Sequence, residues 1–289
     1  MMKKRTKIFL YALYALAALA FFLYFRFPSD LIKEILFSQL QKTQPQARLA
    51  TDVISPTIPL GIKMEPLSVS YADMPLLRMD EFFVFPHIFS LIGHNPRYSF
   101  KGFMGDGELR GEADTTAMPN GRQAQVTLNL SQVPLEFLEL LGQYPNIKPD
   151  GKLDARINFD SAKAGGSADV NLEIAPAHIV LDPPLMGIEG LEFTRISAQL
   201  NVTRRLLQIR SCDADGDQLE GKITGSIIFR NPVSESRIAL SMTLKPQAAF
   251  INDHKNDMIG GLLASGNAQL RGLVFRISGT LSKPNYVIR

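Results

Sequence analysis

The chain has 289 residues, with 31 Lys and Arg against 28 Asp and Glu and a net charge of +3. This balance does not indicate nucleic-acid binding, which requires a clustered excess of basic residues. The single cysteine, Cys212, excludes an internal disulfide and a cysteine-rich metal site. The length allows one large domain or two ordinary ones.

The chain begins with a short basic stretch followed by a long apolar run. Lys and Arg dominate residues 3–7, and residues 8–25 contain no charge. As a helix, this run would extend about 27 Å, close to the thickness of a bilayer core. The preceding positive charge predicts a cytoplasmic N-terminus and export of the rest. We therefore predict a basic stub and transmembrane anchor over residues 1–27. A cleaved signal peptide is the alternative, since Ala-Leu-Ala occurs at 15–17 and 18–20.

The next segment has the pattern of an amphipathic helix. Ser29 or Asp30 can cap its start, and Pro45 is expected to end it. The apolar residues near one helical face are Leu31, Ile35, Phe37 and Leu40. We predict a stalk helix within residues 28–48, continuing from the anchor.

From about residue 49 the hydrophobic period changes to two. Apolar and polar residues alternate over 123–130, 168–174, 196–202 and 237–244. Turn residues rich in Gly, Pro, Asn and Asp separate these runs. The pattern predicts antiparallel strands with one apolar and one wet face, in a single β domain over residues 49–289.

Three short helices are predicted to interrupt the strands, at 86–96, 133–145 and 245–257. They are too few to cover the apolar faces of so many strands. The sheet must then close on itself as a sandwich or barrel, or curl into a trough that leaves its apolar inside for a ligand. Glycines within the strand patterns favour strong curvature. The predicted fold class is therefore mainly β. An N-terminal transmembrane helix precedes a curved, largely antiparallel sheet, an open half-barrel or trough with a few short helices.

Three stretches in this order resemble a known family. They are "LSVSYADMPLLRMDEFFVFPHIFSLIGHNPRYSFKGFMGDGELRG" (67–111), "DQLEGKITGSIIF" (217–229) and "FRISGTLSKPNY" (275–286). The chain resembles type II secretion system protein N (GspN) and, more distantly, AsmA-like proteins. The resemblance implies a non-enzymatic accessory component of the bacterial type II secretion system. Such a component is anchored in the inner membrane by one span, with its N-terminus cytoplasmic, its β domain periplasmic and other secretion components as partners. The AsmA-like alternative implies binding or transfer of envelope lipids along an apolar groove.

The best candidate for metal chemistry is "DADGDQLEG" (213–221). Asp213, Asp215 and Asp217 match the first ligands of a calcium loop. Gln218 stands where the glycine belongs and Thr224 where the bidentate Glu belongs, so we predict a solvated turn. The four histidines lie in four different segments. We assign no catalytic residue, cofactor or metal ligand, and an enzyme with an unrecognised site is kept as a third hypothesis.

The densest apolar patch after the anchor is "EFFVFPHIF" (81–89), which is interpreted either as a plain core strand or as the floor or rim of a groove. In the last strand, apolar residues are expected to face the same inner surface, and Pro284 to end the ladder. The residues predicted to form an apolar groove or partner surface, with phospholipid as a possible ligand, are Phe82, Phe83, Phe85, Ile88, Phe89, Phe275, Ile277 and Leu281.

Overall fold

The computed structural model describes most of the chain from residue 27 onward. The described ranges are 27–58, 60–72, 74–91, 95–118, 121–143, 146–163, 166–185, 188–248, 250 and 272–288, with residues 10, 11, 14, 15 and 18 near the start. Most of the predicted anchor at residues 8–25 therefore lies outside the described residues. Within the described ranges, no helix combines the length and hydropathy needed to cross a bilayer.

The protein is mainly β, as predicted, and one sixteen-stranded sheet dominates it. Its strands are β1 Ala47–Thr57, β2 Gly61–Tyr71, β3 Met74–Met79, β4 Glu81–Pro86, β5 Arg97–Met104, β6 Gly107–Met118, β7 Gly121–Pro134, β8 Ile147–Asp160, β9 Ser167–Leu185, β10 Ile188–Phe193, β11 Arg195–Thr203, β12 Leu206–Asp215, β13 Leu219–Ile228, β14 Arg237–Pro246, β15 Leu273–Thr280 and β16 Pro284–Ile288. The helices are α1 Ser29–Thr43 and the single-turn α2 Ile88–Leu91, with 3-10 turns at Leu135–Phe137, Leu141–Gln143 and Val233–Glu235.

The strands follow one another in an antiparallel meander. Their order is β1-β2-β4-β5-β6-β7-β8-β9-β11-β12-β13-β14-β15-β16. The short strands β3 and β10 pair with the remaining lengths of β2 and β9. In the part of the chain that the structure describes, β1 and β16 are the two edges of this path, so the sheet is open and not a closed barrel.

Each strand runs between two ends of the sheet, which we call the tip end and the base end. The tip end carries the β1–β2 turn at residues 58–60 and helix α2. The base end is where β1 begins and where the segment 135–143 follows β7.

Helix α1 forms where the sequence predicts it, but it packs on the sheet and does not stand free as a stalk. The side chains that pack against the core are Ile32 and Leu36, whereas Leu31 and Ile35 are exposed. Lys33 Nζ donates a hydrogen bond of 2.6 Å to the carbonyl oxygen of Thr51 in β1. The predicted apolar face was therefore wrong in part. Leu31 and Ile35 face solvent, whereas Phe37 and Leu40 are half-buried as predicted.

The sheet curls toward one of its faces. The segment 135–143 leaves β7 and reaches β3, where Leu140 N–H donates to Leu76 O at 3.4 Å. Residues 231–233, after β13, line a cleft of about 240 Å³ together with Pro45, Gln46 and Arg48, which lead into β1. Parts of the sheet that are far apart in strand order thus approach each other, as the accumulated twist of a large sheet requires.

One predicted helix and one predicted strand end were wrong. The stretch 133–145 forms two 3-10 turns and no helix, because β7 continues to Pro134 and leaves too few residues before β8. In the third predicted helix, at 245–257, residues 245 and 246 belong to β14 and residues 248 and 250 are helical, while residues 251–257 lie outside the described residues. Pro284 does not end the ladder. It pairs with Gly279 and begins β16, the outer strand of a hairpin.

Candidate functional site: the apolar face of the sheet

One row of apolar residues crosses the sheet from β2 to β16. The register places one apolar or glycine residue from each of these strands along the main path in direct opposition to the next. This upper row is Ile62, Val84, Phe100, Gly111, Leu128, Ile157, Val170, Leu200, Ile209, Gly225, Leu240, Ile277 and Tyr286. Because opposed residues point to the same side of an antiparallel sheet, the row is one continuous apolar stripe.

A second row runs parallel to the first and closer to the base end. This lower row is Ile54, Met64, Phe82, Gly102, Leu109, Leu130, Ala155, Leu172, Ala198, Cys212, Ile223, Met242 and Phe275. The two rows define the apolar face of the sheet, which is the concave one because α1 and segment 135–143 lie over it.

Part of this face is covered, and we call it the closed region. It comprises the base-end halves of β1–β8, under α1 and the segment 135–143. Met104 and Val133 are fully excluded from solvent here, and Leu67 and Leu135 are 2% and 4% exposed. Phe27 and Leu36 from the N-terminal side and Phe137 and Leu141 from the segment complete the cover. This region is an ordinary dry core.

Most of the rest of the face is only half-buried by the described residues, although Ala198 of β11 is buried, and we call it the open region. From β9 to β15, the upper-row side chains Val170, Leu200, Ile209, Leu240 and Ile277 are all partly exposed. Val126 and Phe159, nearer the tip end of β7 and β8, are partly exposed as well. A smaller buried cluster, formed by Ala177, Phe193, Leu219 and Phe250, lies near the base end of β9 and β13. The open region is thus bounded by two packed clusters.

Glycines occupy inward positions on this concave face. Gly225 has φ +135°, and a Cβ there would lie 2.2 Å from the carbonyl oxygen of Ala239. At Gly111, a Cβ would lie 2.4 Å from Leu128 Cδ2. The strands can approach and bend here only because no side chain is present, which agrees with the curvature expected from the sequence.

The opposite face is polar and carries ion pairs both within and between strands. Lys101 and Arg110 contact Glu108 at 3.2 and 2.9 Å, and hydrogen bonds from Arg110 and then Lys101 hold the pKa of this carboxyl below its ordinary value. Lys63 bridges Glu65 and Glu81, which raises the pKa of the lysine. This face is therefore charged and hydrated, whereas the concave face is apolar.

The structure divides the predicted site residues among four places. Phe82, Phe275 and Ile277 lie on the apolar face. Ile88 and Phe89 lie in α2 at the tip end and are exposed. Leu281 lies in the β15–β16 turn, where its N–H donates to Ser236 O at 3.0 Å, and not on the apolar face as expected.

Phe83 and Phe85 lie on the polar face, because alternate residues of a strand point to opposite sides. Their rings stack at 6.1 Å, and Phe83 meets Phe103 edge-on at 6.2 Å. Lys63 Nζ lies 5.5 Å from the centroid of the Phe83 ring, a cation–π distance. The dense aromatic stretch is therefore neither a plain core strand nor one floor of a groove. Phe82 contributes to the apolar face, whereas Phe83 and Phe85 contribute to the polar face.

The turn expected at "DADGD" forms, but it is shorter than predicted: residues 216–218 connect β12 to β13, and of the three aspartates Asp217 alone lies in this turn, where it is exposed. Asp213 and Asp215 lie in β12 and pair with Lys222 at 3.3 Å and Arg195 at 3.2 Å. Among the described residues, no three His, Cys, Asp or Glu side chains are grouped closely enough to hold a metal ion. Cys212 points into the lower row, where burial raises the pKa of its thiol.

Sequence reasoning missed most of the open region. Leu240, Met242, Leu200 and Val170 belong to alternating runs that the sequence identifies as strands, but their alignment into rows depends on the register between strands. The sequence signal that could have located the open region is the repeated apolar–polar alternation, together with glycine at positions that alternate in phase with the apolar residues.

Comparison of the chain with protein-family models, curated proteins and solved structures finds no match in any of the three. The case for function therefore rests on the geometry of the apolar face and on the residues of the chain itself.

Proposed function

We propose that this chain is a non-enzymatic, membrane-anchored protein that holds phospholipid acyl chains on the open region of its apolar face. The upper row carries the proposal, because it offers a continuous apolar stripe whose members from β9 to β15 are only partly covered by described residues. A continuous row of partly exposed apolar side chains favours binding of an apolar ligand, because burying it removes apolar surface from water.

The composition of the stripe suits an acyl chain. Its side chains are aliphatic or aromatic, and the polar atoms of the strands are used in ladder pairing, so a ligand without hydrogen-bonding groups leaves nothing unsatisfied. A headgroup can remain in water at the rim of the trough. This arrangement supports binding of the apolar part of a lipid and no particular headgroup.

The experiment is to purify the full chain and measure the phospholipid that remains bound. Ile277→Asp places a charge in the open region, and we expect it to lower the bound lipid several-fold while the fold is retained. Arg276→Asp, on the opposite face of the same strand, is the matched control and should leave the bound lipid unchanged. Equal lipid in both variants would contradict the proposal, because lipid around the anchor is common to both.

The anchor and its location are part of the same proposal. We propose that residues 8–25 span the bacterial inner membrane once, with the N-terminus cytoplasmic and the β domain periplasmic. The charge asymmetry around this run supports it. A reporter active only after export, fused after residue 289, is expected to be active. A mature chain that begins near residue 21 would indicate a cleaved signal peptide instead.

The resemblance to type II secretion system protein N supports a second proposal, that the protein is an accessory component of this secretion system. The stretch "GDGELRG" forms the β5–β6 turn and the start of β6, and "ISGTLSKP" spans the β15–β16 hairpin. Crosslinking of the intact protein in membranes, read by mass spectrometry, is expected to recover other secretion components. Recovery of lipid alone would favour the first proposal and count against this one.

A further inference from the structure

Four large apolar side chains project from the tip end of the sheet. Ile58 and Leu60 belong to the β1–β2 turn and are 82% and 64% exposed, and Ile88 and Phe89 of α2 are 52% and 92% exposed. We call these four residues the apolar tip. They do not belong to the apolar face, since they lie on turns and not on the inward positions of strands.

The two turns of the apolar tip are neighbours in space. Ile62 pairs with Val84, and a Cβ on Gly61 would lie 2.7 Å from Phe85 Cδ1. Leu60 therefore adjoins the strand that leads into α2. The β1–β2 turn and the start of α2 are therefore adjacent at the tip end.

The chemistry of the apolar tip fits a bilayer. The segments 57–61 and 86–91 contain no Asp, Glu, Lys or Arg, whereas the flanking strands carry ion pairs such as Arg97–Asp114. Four side chains cannot provide the roughly 800 Å² that each partner buries in a standard protein interface. Small uncharged apolar patches at the ends of turns can instead enter the boundary between headgroups and acyl chains.

The chain also enters the domain from this side. Helix α1 is antiparallel to β1, because Gln44 O accepts from Ala47 N–H at the base end while Lys33 reaches Thr51 further along β1. The N-terminal end of α1 therefore points toward the tip end. The predicted anchor at residues 8–25 directly precedes that end of the helix in the sequence, and that end of the helix points to the same side of the domain as the apolar tip.

We propose that the apolar tip inserts into the bilayer that the chain's own anchor is predicted to cross, and that acyl chains pass between this bilayer and the open region at the tip ends of β7 and β8. The burial of the apolar face supports this direction, since the base end of β1–β8 is closed while Val126 and Phe159 near the tip end are partly exposed. The first part rests on the proposed anchor, and the second part rests on the proposed lipid binding.

The first experiment measures bilayer contact directly. The full chain is reconstituted into vesicles of phosphatidylethanolamine and phosphatidylglycerol, with a nitrobenzoxadiazole dye at single cysteines in a Cys212→Ala background. We expect dye at Ile58→Cys and Phe89→Cys to be quenched several-fold more by nitroxide-labelled lipid than by aqueous iodide. Dye at Asn146→Cys, exposed at the base end, should show the reverse.

Two results would overturn bilayer insertion. The first is quenching by iodide at the apolar tip to the same extent as at residue 146. The second is protection of the tip from both quenchers, which would mean that a protein surface covers it.

The second experiment measures passage of lipid. A photoreactive phospholipid is supplied either in the reconstituted bilayer or in detergent micelles. The double variant Ile58→Ser with Phe89→Ser is expected to lower crosslinking from the bilayer several-fold and to leave crosslinking from micelles unchanged. Equal crosslinking from the bilayer in variant and wild type would overturn passage at the tip. Absence of crosslinking in the wild type from both sources would refute the proposed function, and the quenching experiment would still decide bilayer contact.

Discussion

The closed and open regions of the apolar face use the same strand pattern and end in different environments. In the closed region, Met104 and Val133 are fully buried because α1 and the segment 135–143 lie over them. In the open region, Met242 and Leu240 occupy equivalent inward positions and are only partly buried by described residues. Strand alternation therefore determines which face is apolar, whereas burial depends on whether a helix or loop segment covers that face.

A charge introduced into each region should separate them most strongly. Val133→Asp puts a carboxylate into a fully buried site with no partner, and we expect a loss of about 4 kcal/mol or more in the free energy of unfolding. Leu240→Asp should cost far less, since water can reach the side chain. Urea denaturation followed by circular dichroism measures both. Equal losses at the two sites would show that the open region is also packed dry.

A cavity-creating pair gives the next largest contrast. Met104→Ala removes a side chain with no solvent exposure, and we expect a loss of about 2–5 kcal/mol in the free energy of unfolding. Met242→Ala, the same substitution in the open region, should lose about 1 kcal/mol or less in lipid-free protein. If added phospholipid stabilises the wild type more than Met242→Ala, the side chain contributes to lipid binding. A Met242→Ala loss as large as that of Met104→Ala would contradict the distinction between the regions.

Two glycines of β13 test the origin of the curvature. Gly225→Ala should destabilise the protein by about 1–3 kcal/mol, because the positive φ and the nearby Ala239 carbonyl oxygen both oppose a Cβ. At Gly221, the atom nearest to an added Cβ would be Ala214 Cβ at 3.4 Å, an ordinary contact. Gly221→Ala should therefore be neutral or slightly stabilising. Thermal unfolding of the two variants compares them, and similar melting temperatures would remove the steric explanation.

The smallest expected effect is on the pH dependence of stability, through Asp169 of β9 on the polar face. Hydrogen bonds from Asn201 and then Lys163 hold the pKa of the Asp169 carboxyl below its ordinary value of 3.8. A carboxyl with a lowered folded pKa contributes stability above its unfolded pKa, and this contribution is lost as the pH falls through the folded pKa. We expect Asp169→Asn to weaken the loss of stability between about pH 4 and pH 2. An unchanged pH profile in urea titrations would show that the interaction adds nothing to stability.

The sequence predicted the strands well because alternation is a local property. The runs at 123–130, 168–174, 196–202 and 237–244 all lie within strands, since their period of two leaves one apolar face on each. The open, curved, antiparallel sheet was also predicted, because a few short helices cannot cover so many one-sided strands.

The site was predicted less well because it depends on register and cover. Phe83 and Phe85 were grouped with Phe82, although their alternation places them on the other face. Leu281 was assigned to a strand, but a tight turn between Thr280 and Lys283 starts β16 there. The rows themselves arise from pairings between strands distant in sequence, such as Val170 with Leu200, which no local pattern contains.

The central claim is that acyl chains occupy the open region and not the closed region or the polar face. Its most direct test is a photocrosslinking scan of the full chain in native membranes, with benzoylphenylalanine placed at one position at a time. We predict phospholipid adducts at Leu240 and Ile277, which oppose each other in the upper row, and no adducts at Ser241 and Arg276, their outward-facing neighbours. Adducts of equal yield at all four positions, or at none of them, would contradict the account.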